Sequence, residues 1–273
     1  MATFDYKGRS IYYDVQGEGK PILILNGIMM STKSWEPFVS SFSDKNMFIR
    51  LDFIDQGQSD RLTNSLYMQE LQVEIIMTLL HELNLAKVNV VGISYGGEIA
   101  VKLAYLHPHV IDRLVLFNTT PYTSPWLAEI GHSWINIGKT RNGQNYYQAT
   151  IPIIYSPSFY EKRLDWMKKR EAYLIPIFSN PEFLDAMERL TLSAESYDAR
   201  EYLSKITAPT LIVSGDEDYL TPLADQKKLH QAIKGSYHVI LPGVGHASMY
   251  EVPMLFVTIV LGFINAKDIT YTV

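Results

Sequence analysis

Residues 92–97 read GISYGG, a serine set among glycines. The residues before it, KVNVV (87–91), form a short apolar run, and those after it, EIAVKLAYLHPH (98–109), have helical periodicity. The serine therefore stands where a strand hands over to a helix. A side chain on so sharp a turn has strained backbone angles and close neighbours, and Gly92 and Gly96 let the chain fold tightly around Ser94. Gly97 lets the following helix approach the sheet, and a helix N-terminus beneath the serine favours developing negative charge. An ordinary strand-to-helix turn would need similar glycines, so the rest of the chain has to decide between the readings.

Outward from this point, short apolar runs alternate with helix-like segments. IYYDV (11–15), PILILNG (21–27), MFIRLDF (47–53) and DRLVLFNTT (112–120) are expected strands. LYMQELQVEIIMTLLHELN (66–84) is an expected helix, with Asn84 as its stop. The pattern predicts an α/β fold, a mostly parallel sheet covered by helices on both faces. The alternation breaks after Thr120. It resumes at APTLIVSGDED (208–218), followed by PLADQKKLHQAI (222–233), SYHVILPG (236–243) and a last helix from about Glu251. Residues 1–120 and 206–273 are thus expected to form the core, and 121–205 a helical cap inserted over one edge. Within the insertion, EKRLDWMKKREAYLI (161–175) and PEFLDAMERLTLSAESY (181–197) have helical character.

Composition narrows the function. The chain has 273 residues, 47% hydrophobic and 19% charged, which suits a globular protein with a sizeable core. The net charge of −5 disfavours nucleic acid as a partner. With no cysteine, disulfide scaffolds, thiolate zinc sites and cysteine nucleophiles are excluded. The start, MATFDYKGRS, lacks the apolar core of a signal peptide, and VPMLFVTIVLGFI (252–264) is shorter than the roughly 20 residues of a membrane span. A cytoplasmic protein without a membrane span is the expectation.

Serine is a weak nucleophile at neutral pH. It needs a base, usually His, and the base needs an orienting acid. Of seven histidines, His107 and His109 sit at a helix end, His81 and His230 lie within helices, His132 is in the insertion and His238 is inside a strand. His246 sits in LPGVGHASMYE (241–251), a Gly-rich loop between a strand and the last helix, where such sheets place reactive groups. It is the expected base. The acid should end another strand. SGDEDYLTP (214–222) offers Asp216, Glu217 and Asp218, and spacing alone does not choose among them.

Over almost its whole length outside the insertion, the chain resembles the α/β-hydrolase family. GISYGG is similar to that family's nucleophile elbow. GDEDYLTP is similar to its G-x-x-D-x-x-x-P acid loop, which selects Asp218, and PGVGHAS to its histidine loop, which selects His246. ILNGIMMSTKSW (24–35) is similar to the family's oxyanion segment, with Asn26-Gly27 where His-Gly is common. The resemblance implies an oxyanion hole built from the backbone N–H groups of Ile28 and Tyr95. Gly92, Gly96, Asn26 and Gly27 are the expected supports of the elbow and the oxyanion loop. LDFIDQGQSD (51–60) is similar to the D-x-R-G-x-G-x-S loop, but Ile54 replaces the Arg and Asp55 the first Gly.

The implied activity is that of a serine esterase acting through an acyl-enzyme, with Ser94, Asp218 and His246 as its triad. That chemistry requires neither metal nor cofactor. A small-molecule ester or thioester is the expected partner, and a monomer or homodimer the expected state. The same triad serves thioesterases, acyltransferases, lactonases and carbon–carbon hydrolases. A ligand-binding homologue without turnover and a cofactor-free peroxidase or oxygenase are the remaining alternatives. A carboxylate nucleophile, as in haloalkane dehalogenases and epoxide hydrolases, is excluded by Ser94, and NGIMM departs from the HGGPG segment of prolyl aminopeptidases.

Met29, Trp126, Trp134 and Tyr155 are the candidate pocket residues, with Met30 and Trp35 adding apolar surface near the oxyanion segment. The other insertion aromatics are expected mostly to pack the insertion onto the core. The charges of EKRLDWMKKRE (161–171) are expected on a solvated helix face. No basic cluster falls on the candidate active-site loops, so a neutral ester with an apolar acyl or alcohol part is the expected substrate.

Overall fold

Alternate residues along the apolar runs go to opposite faces of one sheet. Leu23 and Leu25 join one hydrophobic cluster with Val88, Val90, Leu114 and Leu116. Ile22 and Ile24 join a second with Val91, Ile93, Val115 and Phe117. A strand can supply two cores only when both faces are covered, which explains why these runs are apolar throughout. The computed structural model describes residues 2–63 and 65–267.

The strands are β1 (Ala2–Tyr6), β2 (Arg9–Gln16), β3 (Lys20–Leu25), β4 (Asn46–Leu51), β5 (Val88–Ile93), β6 (Ile111–Phe117), β7 (Thr210–Gly215) and β8 (Tyr237–Leu241). They form one eight-stranded sheet in the order β1-β2-β4-β3-β5-β6-β7-β8. β1 and β2 pair antiparallel, as do β2 and β4, and every other pairing is parallel. The helices are α1 (Val39–Ser43), α2 (Glu70–Glu82), α3 (Tyr95–Leu106), α4 (Pro125–Gly138), α5 (Gly143–Ile154), α6 (Pro157–Lys162), α7 (Leu164–Phe178), α8 (Pro181–Ala194), α9 (Leu223–Ala232), α10 (Ser248–Glu251) and α11 (Pro253–Asn265). On one face α2 and α3 contribute Val73, Ile76, Ile99 and Leu103, and on the other α1 and α11 contribute Phe42, Phe256 and Val260. The predicted α/β class is what the chain adopts. Asn84, the expected stop of α2, follows the helix in the left-handed region at φ 53°.

Between β6 and β7 the chain runs through five helices, α4 to α8. Only two helical stretches were expected there. Four of the five are started by a side-chain cap: Ser124, Asn142, Ser156 and Asn180 accept from the N–H groups of Leu127, Asn145, Phe159 and Glu182. In three of these proline follows the cap directly, at 125, 157 and 181, where a missing N–H costs the helix nothing. The expected single helix 161–175 is two, α6 and α7, meeting at Arg163.

Candidate active site

The turn from β5 into α3 carries Ser94 at φ 53° and ψ −121°, outside the ordinary regions for a side-chain-bearing residue. Neighbouring backbone holds it there. Ser94 N–H donates to Phe117 O at 3.0 Å, and its carbonyl accepts from Gly97 N–H at 2.8 Å and from Thr119 Oγ1 at 2.8 Å. Two of the expected glycine supports are sterically required. A Cβ on Gly92 would sit 2.6 Å from Gly96 O and 2.7 Å from Gly97 Cα, so Gly92 lets α3 start directly against the end of β5. A Cβ on Gly96 would sit 2.3 Å from Leu25 O, so only glycine lets the turn come this close to β3.

His246 lies between β8 and α10 and is 6% exposed. Its Nδ1 is 2.9 Å from Asp218 Oδ2. Of the three acids left open by spacing, Asp218 is the one that reaches it, whereas Asp216 accepts from the N–H of Gly243. Asp218 also accepts from the N–H groups of Leu220 and Thr221 and from Thr221 Oγ1, Asn118 Nδ2 and Gln226 Nε2. Burial alone would raise its pKa. The charge and hydrogen bond of His246, with the Thr221 and Asn118 donors, outweigh burial and hold the carboxyl below the ordinary aspartate value. An ionised Asp218 accepts only, which puts the proton of neutral His246 on Nδ1 and leaves Nε2 as an acceptor. Ser94 and His246 line the same cavity of about 90 Å³.

Asn118 was not singled out in the sequence. It follows β6 in the left-handed region at φ 47°. Its Nδ2 donates to Asp218 Oδ2 at 2.9 Å and to Gly245 O at 3.2 Å, and its Oδ1 accepts from Ser248 Oγ at 2.7 Å. One side chain thus ties the acid loop to the histidine loop. Nothing local in FNTT marks it, since all three partners lie at least 100 residues away.

Asn26 is fully buried. Its Nδ2 donates to Leu51 O and Gln56 Oε1, and its Oδ1 accepts from Trp35 Nε1 at 2.7 Å. Gln56, also missed in the sequence, donates from Nε2 to the carbonyls of Gly27 and Ile28 at 2.9 and 3.2 Å. Loop 51–60 therefore clamps the segment that carries Ile28. Tyr95 is the first residue of α3, so its N–H is among those a helix leaves without an internal acceptor. Asp55 stands at φ 70°, a conformation that favours the glycine common in the similar loop. It accepts from Arg189 Nε on α8 at 3.0 Å, linking the loop to the helical segment.

A second cavity, of about 80 Å³, meets the first at Ser94, and Ile28, Trp134 and Leu220 line both. Outside the first lies a groove of about 740 Å³ that shares Met29, Met30, Arg170 and Tyr250 with it. Met29, Trp134 and Tyr155 thus reach the cavities as expected, but Trp126 does not. It is 62% exposed on the outer side of α4. Trp35 is fully buried and packs on Phe38 and Phe256 beneath the segment, so it offers no surface to a ligand. The 161–171 charges do not all face solvent. Lys168 and Lys169 do, while Arg170, one position on, turns toward the first cavity.

The family model of the alpha/beta hydrolase fold matches residues 20–253. The structure is similar to a crystal structure of an alpha/beta hydrolase enzyme, MGS-M2, from a Medee basin deep-sea metagenome library. That likeness has 47% identity and a TM-score of 0.97 and covers 100% of each chain. Among curated proteins, an uncharacterized hydrolase, YugF, of Bacillus subtilis is 24% identical over 97% of this chain and 98% of its own. A pimeloyl-[acyl-carrier protein] methyl ester esterase of Nitrosomonas europaea is 26% identical over 91% of this chain and 97% of its own. With the elbow, the sheet order and the family match in agreement, this chain belongs to the alpha/beta hydrolase fold family.

Proposed function

We propose that the protein is a serine hydrolase that cleaves a carboxylic ester of a small, mainly apolar substrate through an acyl-enzyme. The observation that carries the reading is the His246–Asp218 pair, at 2.9 Å, facing the cavity into which the strained elbow projects Ser94. Ser94 Oγ attacks the carbonyl carbon as His246 Nε2 takes its proton. The ester C–O bond breaks, and His246 returns the proton to the departing alkoxide. Water, deprotonated in turn by His246, attacks the acyl carbon; the bond from that carbon to Ser94 Oγ breaks, His246 returns the proton to Oγ, and the acid is released. Asp218 orients the imidazole and stabilises its cation. The N–H groups of Ile28 and Tyr95 hold the tetrahedral oxyanion, each worth about 3 kcal/mol.

Residues 121–205 act as a cap over this site. Its α4 walls the second cavity with Leu127, Ile130 and Ile135, which suits an apolar acyl or alcohol part. A lactone is a cyclic ester, and the same steps would open it. Thioesters and acyl acceptors other than water need no further group.

The test is intact mass after treatment with a fluorophosphonate, followed by turnover of p-nitrophenyl esters of graded acyl length. One adduct, absent in Ser94→Ala, together with ester turnover absent in the same variant, is the expected result. Undiminished turnover by Ser94→Ala would overturn the assignment.

A further inference from the structure

Two polar groups lining the Ser94 cavities are buried without a protein partner, and both can only donate. Trp134 Nε1–H belongs to a side chain that is 6% exposed and borders both cavities. Arg170 Nε–H belongs to a guanidinium at the border between the first cavity and the outer groove. Among the described residues no carboxylate lies within 4.0 Å of Arg170. A buried donor without an acceptor costs the fold free energy, and a ligand acceptor that displaces the side chains now covering these groups would relieve that cost.

Arg170 is also held in place. Its guanidinium lies over the rings of Tyr250, Trp166 and Tyr155, at 4.5, 5.3 and 5.9 Å from their centroids. Such contacts attract the cation to the ring faces without consuming its N–H donors, which are left for an acceptor. A guanidinium immobilised by three rings has little rotamer freedom left to lose when it binds a carboxylate. Were the aromatic box only a packing device, a neutral long side chain would fill it without a buried, unpaired donor.

We propose that the substrate carries a carboxylate beside its scissile ester, and that Arg170 binds this carboxylate at the mouth of the cavity, with Trp134 Nε1–H offering a second donor to the substrate's acceptor oxygens. The proposal rests on Ser94 being the nucleophile and narrows the substrate to esters or lactones of carboxylate-bearing acids or alcohols. It revises the expectation of a wholly neutral substrate, which looked only at the loops and not at the face of α7.

Two probe pairs test it, one for each side of the ester. The first is p-nitrophenyl hemiglutarate with its methyl ester, and the second is the butyrate ester of 4-hydroxybenzoate with its methyl ester. The expected result is that wild type prefers the charged member of at least one pair. Arg170→Met then lowers kcat/KM for that member by roughly 10- to 150-fold, mainly through KM, while the neutral member changes little. Arg170→Lys recovers part of the loss, since it keeps the charge but not the fork. Calorimetric binding of the same charged ester to Ser94→Ala reads the site without turnover and separates this proposal from the catalytic one. A charged-to-neutral ratio near one in wild type, or a ratio that Arg170→Met leaves unchanged, would overturn it. Fluorophosphonate labelling of Ser94 would survive that outcome.

Discussion

Asn118 joins three loops through one amide, and removing that amide should damage catalysis and stability together. Asn118→Gly deletes the side chain while leaving the backbone at φ 47° unstrained. The bond to Asp218 Oδ2 has a charged acceptor and contributes about 1.5–3 kcal/mol. Those to Gly245 O and from Ser248 Oγ are neutral and contribute about 1 kcal/mol each. All are buried, so a loss of about 4 kcal/mol is expected. Asn118→Ala should lose about 1 kcal/mol more, because alanine resists the left-handed conformation that asparagine tolerates. Without this tether the acid and histidine loops can drift apart, and a displacement near 1 Å costs about 100-fold in rate. The loss should fall on kcat, with KM nearly constant, since the amide reaches the substrate only through Asp218 and His246. Urea unfolding and p-nitrophenyl butyrate kinetics on both variants measure the two effects. Wild-type kcat with an unchanged urea midpoint in Asn118→Gly would refute the idea that this amide sets the site.

Three further outcomes are expected. Glu98 on α3 is 5% exposed, and its burial pushes its pKa from the ordinary 4.5 up to about 8. The folded state therefore holds this proton more tightly than the unfolded chain. The resulting stability is full below about pH 4.5 and is lost as pH rises through about 8, so Glu98→Gln should flatten that decline by a few kcal/mol at most, read from melting temperatures between pH 5 and 9. Arg189→Met leaves the Asp55 charge buried and unpaired, at a cost of about 3–5 kcal/mol, whereas Asp55→Gly with Arg189→Met removes both charge and backbone strain. A double variant no more stable than Arg189→Met alone in urea would count against that coupling. Gly96→Ala drives a Cβ to 2.3 Å from Leu25 O and should give inactive, poorly folded protein, while activity and a normal melt would show that the elbow has slack.

Local sequence carried much of the fold. β5, Ser94 and α3 were readable because the elbow's glycines, serine and flanking apolar runs stand next to one another in the sequence, although its contacts with Leu25, Phe117 and Thr119 do not. The loops bearing Asp218 and His246 were readable because each follows an apolar strand. β1 was not, since ATFDY at a sheet edge alternates too weakly to stand out, with buried residues only at 4 and 6. α4 and α5 were missed as well, since only 161–175 and 181–197 were read as helical within the insertion. The signal for α4 lay in Ser124-Pro125, a cap followed by a helix-compatible proline, the arrangement that also starts α6 at 156–157 and α8 at 180–181, whereas α5 starts from the Asn142 cap without a proline. Asn118, Gln56 and Arg170 had no local signature. Each acquires its place from partners distant in the chain, and Arg170 differs from its exposed neighbours Lys168 and Lys169 only by the rotation of α7.

The order of strands in the sheet also bears on how the chain comes into being. Ser94 follows β5, yet Asp218 and His246 follow β7 and β8, beyond five intervening helices. A ribosome releasing this protein from the N-terminus has extruded Ser94 long before His246. The exposed turn at residues 139–142 divides the polypeptide into a half bearing Ser94 and a half bearing the other two. Neither half alone holds the groups proposed to share the proton, so ester turnover would serve as a reporter of their reunion.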